Sequence, residues 1–174
     1  MSAPATSAAG TRVVATDANI VINFIHVGML GALPAMVDLD FVVTDEVYEE
    51  VRRPEHREVL DAALAAGTWV RESLTEPEAI EIFATLAVTM GRGEAASLAL
   101  AVTRGCYVAS DERKVFLREA RARLGDGRIV NTPGLFVLAI KRGTLTVAEA
   151  DAAKAELDIR RFRMRFGSFA ELIG

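Results

Sequence analysis

The strongest constraint on how this chain can fold is an alternation. Short β-branched runs, "TRVVAT" (11–16), "FVVT" (41–44), "TWVRE" (68–72), "CYVAS" (106–110) and "RIVN" (128–131), are separated by longer amphipathic stretches. Strands that alternate with helices pair in parallel, because each return to the sheet needs a crossover, and the crossover helices then cover both faces. The sequence therefore predicts an α/β fold, a three-layer α/β/α sandwich around a central parallel sheet of about five strands. With 174 residues, 51% of them apolar, the chain has the size and make-up of one domain with a real core. That domain is expected over 11–174, ending in a C-terminal helical extension. The first ten residues, "MSAPATSAAG", lack a basic region and an apolar stretch and read as a disordered tail rather than a signal peptide. No span is apolar enough to cross a bilayer, so no membrane partner and a cytoplasmic location are expected.

Local signals refine the helices. "TEPEAIEIFATLAVTMG" has Thr75 before an acid-rich first turn, Pro77 near its start and Gly91 after its end, and "TVAE" makes Thr146 and Glu149 a capping box. There is no internal repeat. The lone cysteine, Cys106, sits in an apolar run and reads as a small buried hydrophobe. A net charge of -4 supplies no global positive field, so contact with a polyanion would need a local basic patch or metal ions.

Ligands of an open parallel sheet bind beyond the carboxyl ends of its strands. Asp17 directly follows the first strand in "RVVATDANIV", with Asn19 two residues on. Asp111 follows the fourth in "CYVASDERKV", flanked by Ser110 and Glu112. Each suits a helix N-cap as well as a ligand. In "TDEVYEEVRRP" the buried stripe is Val47 and Val51. Glu50 lies about 60° from Val47 on the helical wheel, whereas Asp45 and Glu49 point roughly 160° away. Glu50 thus flanks the core, Glu46 is a poorer second, and either could snorkel to solvent. In "MGRGEAASLALAVTRG" Glu94 stands in a first helical turn beside the stripe Ala95, Leu98, Ala99 and Val102. There an acid gains from the helix dipole whether or not it has a function. A phosphate cradle is the poorer reading, because no Walker sequence is present and the acid would repel phosphate.

Uncompensated carboxylates gathered at one sheet edge raise one another's pKa unless a cation sits among them. An all-oxygen set of Asp17, Glu50, Glu94 and Asp111 suits Mg²⁺ or Mn²⁺ rather than zinc. His26 and His56 look isolated and bland, and nothing resembles a Ser-His-Asp triad.

In these residues the chain resembles the PIN domain family of metal-dependent single-strand ribonucleases, and the likeness covers nearly everything from about residue 11. The motifs are "TDAN" after the first strand, "TDEVYEE" with Thr44, Val47 and Glu50, "GRGEAASLALA" with Glu94, and the "SDE" step with Ser110 and Asp111. The Gly-x-Gly-Glu form and the segment "NTPGLFVLAIKRGTL" are similar to VapC-type toxins. The family usually has Asp where this chain has Glu94, and either Asp111 or Glu112 could be the fourth ligand, with Asp111 nearer the strand end. The resemblance implies one or two Mg²⁺ or Mn²⁺ ions held by Asp17, Glu50, Glu94 and Asp111 as the catalytic set. Asn19, Thr44, Ser110 and Glu112 would support it. An in-line attack by water on RNA would leave a 5′-phosphate and a 3′-hydroxyl. It also implies a small antitoxin partner and a homodimer.

Two basic stretches could serve the RNA. "DIRRFRMRFGSFAELIG" interleaves Arg160, Arg161, Arg163 and Arg165 with Phe162, Met164 and Phe166, a pattern that suits phosphates and stacked bases, an antitoxin groove, or an amphipathic element packed on the body. Arg113 and Lys114, with Arg118, Arg121 and Arg123, begin on the helix after Asp111 and suit RNA guidance or a solvated face. Two other classes compete with the nuclease: an inactive PIN-like binding module, and a receiver or phosphatase-like domain phosphorylated on Asp17. The latter usually carries Asp-x-Asp, where this chain has Asp17-Ala18-Asn19.

Overall fold

The computed structural model describes residues 12–174, and the expected N-terminal tail lies outside the described residues. Five strands, β1 (Val13–Thr16), β2 (Asp40–Thr44), β3 (Trp69–Glu72), β4 (Tyr107–Ala109) and β5 (Ile129–Val130), form a wholly parallel sheet in the order β3-β2-β1-β4-β5. Each falls within a β-branched run of the sequence, apart from one added residue at the start of β2. The helices are α1 (Ala18–His26), α2 (Leu33–Val37), α3 (Asp45–Glu50), α4 (Pro54–Ala65), α5 (Pro77–Leu86), α6 (Arg92–Arg104), α7 (Val115–Leu124), α8 (Thr132–Lys141), α9 (Val147–Ile159) and α10 (Ala170–Ile173).

Strand side chains alternate between faces, and this divides the core in two. Val14, Phe41 and Val43 pack with Phe24 of α1 and Phe136 of α8. Ala15, Val42 and Val108 pack with Leu98 of α6 and Phe116 of α7. The result is the expected α/β/α sandwich, in which each fully buried aliphatic or aromatic side chain contributes about 1.5–3 kcal/mol. At the β3 edge, the Trp69 ring lies 4.8 Å from that of Phe41, and its indole N–H donates to the Leu30 carbonyl at 2.8 Å.

The strand order positions the site. The chain winds outward from β1 through β2 to β3, then returns to lay β4 against the other side of β1. The order reverses between β1 and β4, and a crevice opens there beyond the strand ends. Asp17 and the Ser110–Glu112 step emerge at that crevice, joined by a hydrogen bond from the Asp17 amide to the Ala109 carbonyl at 2.9 Å.

Several local expectations are corrected. The N-cap of α5 is Glu76, one residue after Thr75, and the helix ends at Leu86, well before Gly91. Helix α6 shows more than one buried stripe: every residue from Ala95 to Ala101 is buried, because α5 packs along the side that faces away from the sheet. Arg113 and Lys114 precede α7 rather than begin it, and Lys114 has a left-handed φ of 49°. At the C-terminus α9 stops at Ile159 and the short α10 follows. Between them the strap alternates: Phe162, Met164 and Phe166 turn toward the core while Arg161, Arg163 and Arg165 are exposed. The capping box on α9 is present, with the Thr146 hydroxyl accepting from the Glu149 amide at 3.1 Å and the Thr146 amide donating to the Glu149 carboxylate at 2.8 Å. Cys106 is fully buried.

Candidate metal centre

Asp17 is both a helix cap and a buried acid. It is the N-cap of α1, its Oδ1 accepting from the Ala18 amide at 2.7 Å, while Oδ2 accepts from the Ser110 hydroxyl at 3.1 Å. Only 2% of the residue is exposed. Burial, with Glu94 and Glu50 nearby, outweighs these two hydrogen bonds and pushes its pKa up to about 7.

Glu50 and Glu94 are held by the start of α6. Thr44 caps α3, its hydroxyl accepting from the Val47 amide at 3.3 Å, and Glu50 is the last residue of that helix. The Glu50 Oε1 accepts from the Gly93 amide at 2.8 Å. A Cβ on residue 93 would stand 2.5 Å from Glu50 Oε2, so a side chain there would push the Glu50 carboxylate off this amide. Glu94 is the third residue of α6 and is turned back toward the N-cap Gly91. Burial first, then Glu112 and Glu50, raise its pKa above the usual carboxylate range.

The two acids after β4 part company. Asp111 accepts from the Thr132 amide at 2.8 Å, the Thr132 hydroxyl at 2.6 Å and the Asn23 amide group at 3.0 Å. It ties α1 to the start of α8, and burial still holds its pKa above the usual value despite those donors. Glu112 instead faces the other acids: it accepts from Asn19 at 2.8 Å, its amide donates to the Ser110 hydroxyl at 3.1 Å, and it bears on Glu94. Ser110 thus links Asp17 to the Glu112 backbone. Glu46, the second choice on α3, has a buried Oε2 without a partner and adds nothing to the Asp17–Glu94 pair.

No ion pair among the described residues involves Asp17, Glu50, Glu94, Asp111 or Glu112. The crevice therefore gathers acids that no basic side chain pairs within 4.0 Å among the described residues. Among the described residues, no group of three or more His, Cys, Asp or Glu side chains is gathered closely enough to hold a metal as it stands. The donors nevertheless fit Mg²⁺ or Mn²⁺ by chemistry, being all carboxylate oxygens. Glu50 and Glu94 are held on the backbone amides of the α6 start, from which long, flexible side chains can turn.

A groove of about 980 Å³ runs from Ser110, Asp111 and Glu112 along α7 and the α8 start to the strap, and takes in Arg113, Arg161, Arg163 and Arg165. Lys114 is exposed but lies outside that lining. Arg163 is drawn 3.5 Å from Asp158, while Arg113, Arg161 and Arg165 have no carboxylate within 4.0 Å among the described residues.

Sequence reasoning missed Asn23, Thr132 and Gly93. Asn23 left a trace, as a polar residue inside the apolar run "NIVINFI", and "NTPG" marked a helix start. The histidines are also not isolated: the His26 and His56 rings meet edge to face with centroids 4.9 Å apart. Twenty-nine residues separate them in sequence, and only the packing of α1 against α4 brings them together.

No helix of the described residues is long and apolar enough to cross a membrane. No curated protein and no solved structure matches the chain. A family profile described as a PIN domain matches residues 13–173, spanning β1 to the end of α10 with the whole acidic crevice, and the chain belongs to the PIN domain family.

Proposed function

We propose that the protein is a Mg²⁺- or Mn²⁺-dependent ribonuclease that hydrolyses RNA phosphodiester bonds at the crevice between β1 and β4. The observation that carries this is the buried Asp17, surrounded by Glu94 and Glu50 and paired with no basic side chain among the described residues. A fold does not maintain such repulsion cheaply unless a cation relieves it. Asp17, Glu50 and Glu94 would hold the metal. Of the Asp111–Glu112 step, Glu112 would supply the fourth carboxylate, because it bears on Glu94, whereas Asp111 already accepts three protein hydrogen bonds.

When bound, a divalent ion would polarise the scissile phosphate and acidify a water for in-line attack. The chain's own groups do the rest. Asp17 gives up its proton to become a ligand, and Ser110 steadies the oxygen opposite the cap. Asn19 aims Glu112, and Thr44 fixes the helix that presents Glu50. Asp111 holds α1 and α8 in register beneath them. Arg113, Arg161, Arg163 and Arg165 would draw the strand along the groove that ends at Glu112, with Lys114 adding charge beside it.

The test is cleavage of single-stranded and structured RNA with Mg²⁺, with EDTA and with Asp17→Asn. Cleavage should require the metal and fall at least about a hundredfold in the variant, since loss of a mere outer partner of a metal ligand already costs 10–100-fold. Unchanged cleavage by Asp17→Asn would sink the assignment. Metal binding without cleavage would leave an inactive binding module. The finer reading, the toxin of a type II pair that dimerises and is restrained by a small antitoxin, is supported by the resemblance to VapC-type toxins. It predicts growth arrest on expression, relieved by the product of a neighbouring gene.

A further inference from the structure

A second groove, of about 750 Å³, lies between the end of α1, the α3–α4 turn and the end of α9. It begins at Glu50, so it and the candidate metal centre share a residue. Its rim carries Arg52, Arg53, Arg160 and Arg161 against only Glu50 and Glu156. Arg160 is drawn to Glu156 at 3.1 Å, but Arg52, Arg53 and Arg161 have no carboxylate within 4.0 Å among the described residues. In a chain of net charge -4, this is a local positive field beside a negative crevice.

The floor is not what a bare phosphate site requires. The His26 and His56 rings meet there, and His26 Nε2 is buried without a hydrogen-bond partner. Ile22 lies beside them, and Ile159 is 77% exposed at the rim. His26, the partly exposed ring of the pair, and the aliphatic surface of Ile22 and Ile159 stand between arginines, so that a base can stack while its phosphates are paired. Arg161 lines both grooves. It is held there by the end of α9, where its left-handed φ of 68° closes the helix and the Phe162 amide donates back to the Leu157 carbonyl at 2.9 Å.

We propose that this groove is a subsite for single-stranded RNA, so that a strand entering along the C-terminal strap crosses the carboxylates and continues past Glu50 onto Arg52, Arg53 and the histidine pair. The proposal rests on the nuclease reading for the identity of its ligand, but its test does not depend on cleavage. A short fluorescent single-stranded oligoribonucleotide, titrated with the full chain in EDTA, reports binding without chemistry. Arg52→Gln with Arg53→Gln should weaken binding about tenfold and lower the slope of log affinity against log salt by about 1–2, since each neutralised phosphate contributes roughly 0.7 on a single strand. Both arginines are exposed, so the melting temperature should not move. Ile159→Glu, also exposed, should weaken binding several-fold by placing a negative charge on the platform. Affinities within twofold of the wild type for both variants overturn the subsite, as does a groove that takes an acidic peptide but not RNA through the same arginines. A chain that cleaves RNA yet binds it independently of Arg52 and Arg53 keeps the nuclease reading and loses the subsite. One that binds through the groove and never cleaves keeps the subsite and loses the nuclease.

Discussion

Asp17 and Asp111 occupy similar places in the sequence and opposite places in the energetics. Both lie just beyond neighbouring parallel strands at the switch point of the sheet. Asp111 accepts three hydrogen bonds from Thr132 and Asn23, which bind two helices to each other through it. Asp17 accepts two, from its own helix start and from Ser110, and is otherwise exposed to the fields of Glu94 and Glu50. A carboxylate saturated by donors supports a fold, whereas one crowded by its own kind is suited to a cation. Position after a strand does not distinguish them, and the donors that do come from α1 and α8.

The largest expected effect tests the saturated member. Asp111→Ala strands the Thr132 amide and hydroxyl, while the Asn23 amide group keeps the Thr132 hydroxyl oxygen at 3.2 Å, and should cost about 3 kcal/mol in urea unfolding, as buried unpaired groups cost 1–3 kcal/mol each. Glu112→Gln should leave stability within about 0.5 kcal/mol and weaken Mg²⁺ binding in calorimetry. If instead Asp111→Ala is benign and Glu112→Gln unfolds the chain, the two roles are reversed.

The next effect concerns the burdened member and its pH dependence. Folded Asp17 keeps its proton up to about pH 7, against an ordinary 3.8. Between those values the native state binds more protons than the unfolded one, so this group's contribution to stability falls as pH rises from about 4 to about 7 and is level above. Asp17→Asn escapes that loss. At pH 8 without metal it should be more stable than the wild type by about 2 kcal/mol, the shift discounted for weaker hydrogen bonding, and the gain should vanish near pH 4. A variant less stable than the wild type at pH 8 would show that Asp17 is held by its hydrogen bonds, as Asp111 is.

The smallest effect separates the causes within Asp17. Burial is the larger influence on it and Glu94 a lesser one. Glu94→Gln should therefore lower the Asp17 pKa by less than about one unit, about 1.4 kcal/mol, as read by carbon NMR of the carboxyl, and leave it above the ordinary value. A return to the ordinary value would assign the burden to charge crowding alone.

Much of this was legible in the sequence. The β-branched runs marked all five strands, most plainly β1, β2 and β4, whose side chains are buried on both faces and must be apolar, and parallel pairing then required covering helices. The acids at the strand ends were legible for the same reason, since polar residues break those runs abruptly. Which of Asp111 and Glu112 turns toward Glu94 was not, because the answer lies with Asn19, Asn23 and Thr132, which reach them from α1 and the start of α8. The C-terminal strap was legible only as alternatives, because arginines and aromatics that alternate can face RNA, a partner or the body, and it is the packing of Phe162, Met164 and Phe166 on the core that shows which side is buried. The histidine pair was invisible for a related reason, as its members meet only when α1 and α4 are assembled.

Trp69 is the chain's one tryptophan, and its indole is anchored to Leu30 on the edge strand β3, two strands away from the β1–β4 crevice. Its emission therefore registers the collapse of the sheet edge and the water that follows, and is little affected by whatever occupies the carboxylates. The molecule carries an optical gauge of its own unfolding, set apart from its chemistry.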